Sequence, residues 1–360
     1  MSLPTLAMMA LSVTTVRAHV TGDAAHDELV RMIAQELAAG GAAVRTGPWR
    51  IAQVRTEKRV AGGGDSRAGA NAPGAAEIFG AFAPAVNVRW DGEFLYVESN
   101  GLSAHGMMVG ITAWQQQVPL PQPYVGRNAW RIPLHPVASA NPVSIKGRFL
   151  RGAIALAANG VPIFNPQNNR GEISQEIGEL DEWGGHCGRG DDYHYHAAPL
   201  HLQSVVGAGR PIAYALDGYA LYGTADADGN APTDLDEFNG RTEQGVYRYY
   251  STTKYPYING GLRGVVTVRG DGVEPQPRDA PVRPAGQPLR GAKVTEFTRD
   301  DAKGEYALKY ELRGKTLAVS YAIRKDGTYA FVFTDAAGRE TGETYRRRER
   351  KDGPPPRKGE

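Results

Sequence analysis

Four of the chain's eight histidines fall within 16 residues: His186, His194, His196 and His201. Two of them stand in the run Tyr193-His194-Tyr195-His196. In an extended segment side chains alternate, so His194 and His196 point to one face and the two tyrosines to the other. At a rise of about 3.3 Å per residue the imidazoles start roughly 6.6 Å apart, close enough to converge on one ion. His-x-His on a strand, with a third ligand from a nearby loop, gives the three-ligand set with an open position that catalytic zinc uses. His186, beside Gly184-Gly185, is the expected third ligand; His201, Asp191, Asp192 and Cys187 are candidates for a fourth. An imidazole-rich set suits zinc or copper better than magnesium or calcium. The expected chemistry is metal-assisted hydrolysis, with His186, His194 and His196 as ligands and Asp192 or His201 as proton acceptor. Copper on the same residues would make the site oxidative. Two readings compete: metal-free histidines acting as general acid and base, and polar residues of a Tyr-rich strand satisfied by backbone hydrogen bonds. His105, in the loop Gly101-Leu-Ser-Ala-His105-Gly-Met-Met108, is a further histidine within reach of the cluster.

The elements that must position these residues repeat. Ala155 to Phe164, with Asn159-Gly160 at its centre, lines up with Ala213 to Tyr222 and its Asp217-Gly218. Leu180-Asp181-Glu182-Trp183-Gly184-Gly185-His186 lines up with Leu235-Asp236-Glu237-Phe238-Asn239-Gly240-Arg241. Tyr193-His194-Tyr195-His196 lines up with Tyr247-Arg248-Tyr249-Tyr250. Order and spacing persist, so two units over about 153–203 and 211–261 are expected to pack about a pseudo-twofold axis. Positions kept in both copies should serve the fold. The Gly pairs supply turns, and Asp181 with Asp236 reads as a turn residue rather than a catalytic acid. The histidines differ: His186, His194, His196 and His201 face Arg241, Arg248, Tyr250 and Tyr255. Any chemistry belongs to the first copy.

Around this repeat the texture from 82 to 270 is one of short alternating segments and Asn-Gly, Asp-Gly or Pro turns. It predicts a mainly β central domain, a duplicated β-sandwich or barrel-like core. The chain holds 45 Gly and 24 Pro in 360 residues, which favours turns and short strands over long helices. One short helix is expected over Asp23 to Ala39, within an N-terminal part (19–81) that ends in a Gly-rich linker. Five prolines between Asp271 and Gly291 read as a second linker. Beyond it, 292–345 reads as a small antiparallel β-meander, with Asp326-Gly327 as one of its hairpin turns. Three strands make a marginal core, so this piece is expected to dock on something. Residues 346–360 read as a basic disordered tail.

Met1 to Val16 is uncharged and mildly apolar, and Val16-Arg17-Ala18 fits a cleavage site after residue 18. The expectation is a signal peptide over 1–18 and an exported protein, although no Lys or Arg precedes the apolar stretch. A cut there would leave His19 first, a position able to chelate copper, though most N-terminal histidines do not. No run of about 18 apolar residues occurs, so no membrane-spanning helix is expected. The net charge of +2 comes from the tail, which leaves no electrostatic footprint for nucleic acid elsewhere. A single cysteine excludes an internal disulfide framework. Asp226-x-Asp228-Gly229-Asn230 resembles a calcium-loop start but lacks the later Glu, so an ordinary turn is expected. Ten of the 17 tyrosines lie between Tyr193 and Tyr257. Buried, they fill a core; exposed, they would stack on sugars.

The runs Asn159-Gly-Val-Pro-Ile-Phe164, Gly184-Gly185-His186, Tyr193-His194-Tyr195-His196 and Leu216-Asp-Gly-Tyr-Ala-Leu-Tyr-Gly223 resemble the YHYH domain family over roughly residues 90 to 270. The resemblance implies a domain boundary and export, and it brings no established activity. It also implies a second His-bearing Tyr motif before Tyr255-Pro-Tyr-Ile-Asn-Gly-Gly261. Here that place reads Tyr247-Arg248-Tyr249-Tyr250, a reduced site. The sequence reading is therefore an exported protein with a histidine-rich, zinc- or copper-binding site, acting as a metal-dependent hydrolase on a small molecule or glycan. The alternative is a non-catalytic cell-envelope or carbohydrate-binding module using a Tyr-rich surface. A third is an assembly protein whose C-terminal meander pairs with a partner's edge.

Overall fold

The computed structural model describes residues 73–226 and 228–347. The signal segment, His19, the helix over Asp23 to Ala39, the Gly-rich run before residue 73 and the tail from 348 onward lie outside the described residues.

The regular structure of the described chain is mainly strand, joined by long loops and with only short helical turns. A one-turn helix, α1 (Ala76–Gly80), buries Ile78 and Phe79. It leads into an antiparallel three-stranded sheet of β1 (Asn87–Trp90), β2 (Phe94–Glu98) and β3 (Trp130–Pro133). In β2, Leu95 and Val97 are buried while their neighbours are half-buried, the two-residue period of a strand with one face on the core. β4 (Ala138–Ser144) follows.

The centre of the molecule is an eight-stranded mixed sheet. In chain order its strands are β5 (Ala153–Ala157), β6 (Pro162–Phe164), β7 (Gly185–Cys187), β8 (Tyr193–Tyr195), β9 (Ala213–Ala215), β10 (Ala220–Tyr222), β11 (Gly240–Glu243) and β12 (Val246–Tyr250). In space they run β11-β12-β10-β9-β5-β6-β8-β7. The first copy occupies one half and the second copy the other, in mirrored order. Each half pairs its first two strands antiparallel, the next pair parallel, and the last pair antiparallel. The halves meet at β5 and β9, where Leu156 pairs with Tyr214, two residues equivalent in the repeat. The duplication read from sequence is thus the symmetry of the sheet. The sheet ends at β11 and β7 without closing, so the barrel half of the expectation is not met.

The repeated turns explain themselves. Gly160 and Gly218 have φ of +75° and +93°, which a side chain resists. Asp181 Oδ1 accepts from the amides of Trp183 and Gly185, and Asp236 Oδ1 from those of Phe238 and Gly240. Each aspartate also accepts a tyrosine hydroxyl, from Tyr193 or Tyr247. They are turn residues, as their duplication implies. The Asp226 loop is likewise a turn: its Oδ1 accepts from the amides of Asp228 and Asn230.

After the sheet, β13 (Gly261–Gly264) pairs with β4, and β14 (Thr267–Arg269) with β15 (Gly272–Glu274). The Pro-rich stretch that reads as a linker runs along the central part. Proline removes backbone donors, and side chains secure it instead. Asp271 accepts from the amides of Phe149 and Leu150, Gln276 from Ala153, and Arg283 pairs with Asp191 at 2.8 Å. The C-terminal meander has five strands rather than three: β16 (Ala292–Asp300), β17 (Glu305–Leu312), β18 (Lys315–Ile323), β19 (Thr328–Thr334) and β20 (Glu340–Arg346). It docks on the loop between β2 and β3. Val294 exchanges backbone bonds with Gly110 and Ile111, and the Tyr321 hydroxyl donates to Pro119 O at 2.6 Å.

Candidate metal centre

β7 and β8 pair antiparallel with His186 opposite His194, so both imidazoles leave the same face of the hairpin. His196, one residue past β8, follows His194 onto that face. The three Nε2 atoms converge: His186 to His196 is 3.0 Å and His194 to His196 is 3.1 Å. One ligand atom from each of the three lies within 4.8 Å of the others. Bonds of 2.0–2.1 Å from zinc to imidazole nitrogen imply a tetrahedral edge of about 3.3 Å. Two of the three edges are near that length, so the triad could hold an ion of that size.

The opposite edge of each ring is held from outside. His194 Nδ1 lies 2.9 Å from Asp192 O and 3.3 Å from Asp192 Oδ2. His196 Nδ1 donates to Asn165 O. Both partners are acceptors, so Nδ1 carries the proton in each neutral ring and each Nε2 keeps its lone pair. Phe164 stacks on His194, with centroids 3.9 Å apart, and fixes the ring plane. His194 and His196 are buried and His186 half-buried. Burial pushes His186 well below the usual imidazole range and His196 down to about 3. Protonation is therefore disfavoured where the lone pairs meet.

The other sequence candidates fall elsewhere. Asp192 joins the site, but behind His194 and not at the converging nitrogens. Asp191 is taken by Arg283 and by the amide of Val118. Cys187 pairs with Tyr193 across the hairpin, is fully buried, and has its thiol pushed well up by burial, which leaves it unreactive. His201, a candidate proton acceptor, is not brought to the triad. It follows Pro199 in a turn of 3-10 helix and packs on the tyrosine side of β8, 3.5 Å from the Tyr195 hydroxyl.

That opposite face holds a second cluster. Tyr195 hydroxyl lies 2.9 Å from His105 Nε2 and accepts from Asn159 Nδ2 at 3.0 Å. His105 stacks on Trp183 with centroids 4.8 Å apart, and His201 meets both rings edge-on at 4.9 Å. Burial lowers His105 to about 3 and His201 to about 4. His105 thus reaches His201 and not the triad. The Tyr-rich surface of the alternative reading is largely interior: Tyr193, Tyr195, Tyr247, Tyr249 and Tyr250 are all buried. Sequence reasoning missed the Asn165 carbonyl and the Phe164 stack. A main-chain carbonyl belongs to every residue, so nothing in the sequence marks it.

A family model described as YHYH protein matches residues 129–232. This segment is a YHYH domain. The triad, its Asn165 and Asp192 partners and Phe164 all lie within the match, as does His201. The hairpin β11–β12 and the C-terminal sheet continue beyond the YHYH segment. No curated protein and no solved structure matches the chain. Among the described residues no helix is long and apolar enough to cross a membrane.

Proposed function

We propose that His186, His194 and His196 bind a transition-metal ion, zinc or copper, and leave a coordination position open for chemistry. One observation carries this reading. His194 and His196 present Nε2 to Nε2 at 3.1 Å while both Nδ1 atoms are committed to acceptors behind them. Two lone pairs at that distance repel, and a proton donated by His186 can serve only one contact. A cation at the centre satisfies all three, which is the second-shell logic of histidine metal sites. When bound, the ion supplies Lewis acidity and lowers the pKa of a coordinated water. This supports metal-assisted hydrolysis as the activity class. In this reading Asp192 orients His194 and sets its tautomer rather than taking the proton from water. Export, supported by the N-terminal pattern, fits a compartment where the site would load outside the cytoplasm.

The deciding experiment is elemental analysis of tag-free protein purified without chelator, beside a His194→Ala/His196→Ala variant. Near-stoichiometric zinc or copper in the wild type, absent from a folded variant, is the expected result. No transition metal in either, even after metal addition and dialysis, would sink the proposal.

A further inference from the structure

Away from the triad, a cleft of about 520 Å³ lies where the C-terminal sheet meets the loop before β3. Residues 121–123 and Asn100 line it from the central part, and residues 301–304 and 323–325 from the sheet. Four basic side chains, Lys303, Arg324, Lys325 and Arg347, line it against one acid, Asp301. Asp301 is already committed to Arg299 at 3.1 Å, and Lys303 pairs with Asp300 at 2.9 Å. Among the described residues Arg324 and Lys325 form no ion pair, and both are exposed. Asp326, the acid nearest in sequence, accepts from the amide and hydroxyl of Thr328.

Arg347 closes the cleft and is the most constrained of the four. One terminal nitrogen donates to Pro121 O at 2.8 Å, and its guanidinium lies 5.4 Å from the centre of the Tyr329 ring. Among the described residues its Nε is buried without a hydrogen-bond partner. A second cavity of about 640 Å³ shares Lys303, Tyr306 and Arg324 with the first, but Asp300 and Glu305 also line it, so the excess of positive charge belongs to the first cleft. Guanidinium forks match tetrahedral oxyanions in shape, and lysines add point charge. Positive potential focused in a cleft raises the local concentration of such anions. The volume is that of a small-molecule site.

We propose that this cleft binds a small, multiply charged oxyanion of the phosphate- or sulfate-ester class. The probes are inorganic tripolyphosphate and a sulfated disaccharide, titrated calorimetrically into the full chain. A His194→Ala/His196→Ala background removes the triad as a competing anion site. Saturable one-to-one binding that weakens at least tenfold in both Arg324→Ala/Lys325→Ala and Arg347→Ala is expected, with affinity falling as salt rises. The probe that binds more tightly identifies phosphate or sulfate as the natural group. Arg324 and Lys325 are exposed, so their alanine variant keeps the fold and decides the matter if Arg347→Ala does not. Absence of saturable binding by either probe, or unchanged affinity in that double variant, would overturn the proposal.

Discussion

Replacing Asp192 tests whether the metal site depends on its outer shell. The carboxylate sits 3.3 Å from His194 Nδ1, and its other oxygen accepts from the amide of Gly190 at 3.0 Å. The Asp192 carbonyl, 2.9 Å from the same Nδ1, remains in any variant. Outer-shell partners of metal-bound histidine are worth about 10- to 100-fold in affinity. Because one acceptor survives, Asp192→Asn should sit at the low end, about tenfold, or about 1.4 kcal/mol. Asparagine keeps the acceptor for Gly190, so the turn stays formed and the lost quantity is the charge behind His194. Asp192→Ala removes both and should lose more. The assay is competition for zinc against a chromophoric chelator, with thermal unfolding of each metal-free variant as the control for folding. Wild-type affinity in both variants, with binding abolished by His194→Ala, would refute the claim that Asp192 supports His194.

Other perturbations test the frame. Gly160→Ala forces a side chain into φ +75° with its Cβ 2.5 Å from Ser99 Cβ, so about 3 kcal/mol of stability should be lost, read as a lower urea midpoint. Arg283→Met strands the Asp191 carboxylate in the interior and should cost about 3 to 5 kcal/mol in the same assay. Adding Asp191→Asn should recover part of that loss. His105, held at about 3 when folded and near 6.5 unfolded, stays neutral in the native state while the unfolded chain takes up a proton. Its contribution is therefore complete above pH 6.5 and lost as pH falls toward 3. Between pH 7 and pH 5 the wild type should lose about 2 kcal/mol more than His105→Gln, measured by chemical denaturation at each pH.

The sheet was legible in the sequence because its turns are written locally. An Asn-Gly or Asp-Gly pair fixes a backbone conformation without help from distant residues, and a repeat of such pairs fixes the order of the strands between them. The triad was legible for a related reason: strand alternation decides which side chains share a face. His201 was misplaced because that rule stops where the strand stops. Beyond Pro199 the chain turns into a 3-10 helix, and its direction is set by packing against Trp183 and His105. The stretch from Asp271 to Gly291 misled through its prolines, which mark the absence of backbone donors but not the side-chain bonds that replace them. β20 escaped notice because its residues are nearly all exposed and polar, and only its pairing with β19 makes it a strand.

The second copy offers an internal control on the charge at the candidate site. Arg241 and Arg248 face each other across β11 and β12 as His186 and His194 do across β7 and β8. There the side chains converge on the Glu243 carboxylate: Arg241 Nε at 2.5 Å, Arg248 at 2.6 Å and the Tyr250 hydroxyl at 2.5 Å. Three donors surround an anion. At the repeat offset that places Arg241 opposite His186, the counterpart of Glu243 is Gly188. A Cβ on Gly188 would meet Asp192 Oδ1 at 2.7 Å and His194 Cε1 at 2.9 Å, so the first copy has no room for an acid there. It gathers three imidazole nitrogens instead, of which those of His194 and His196 meet as two acceptors. The same backbone corner thus pairs cations with a carboxylate in one copy and gathers imidazole nitrogens in the other, where a positive ion could take the place between them. This contrast, drawn within one chain, supports a metal more strongly than the histidine count does, because the fold around the two corners is the same and only the polarity differs.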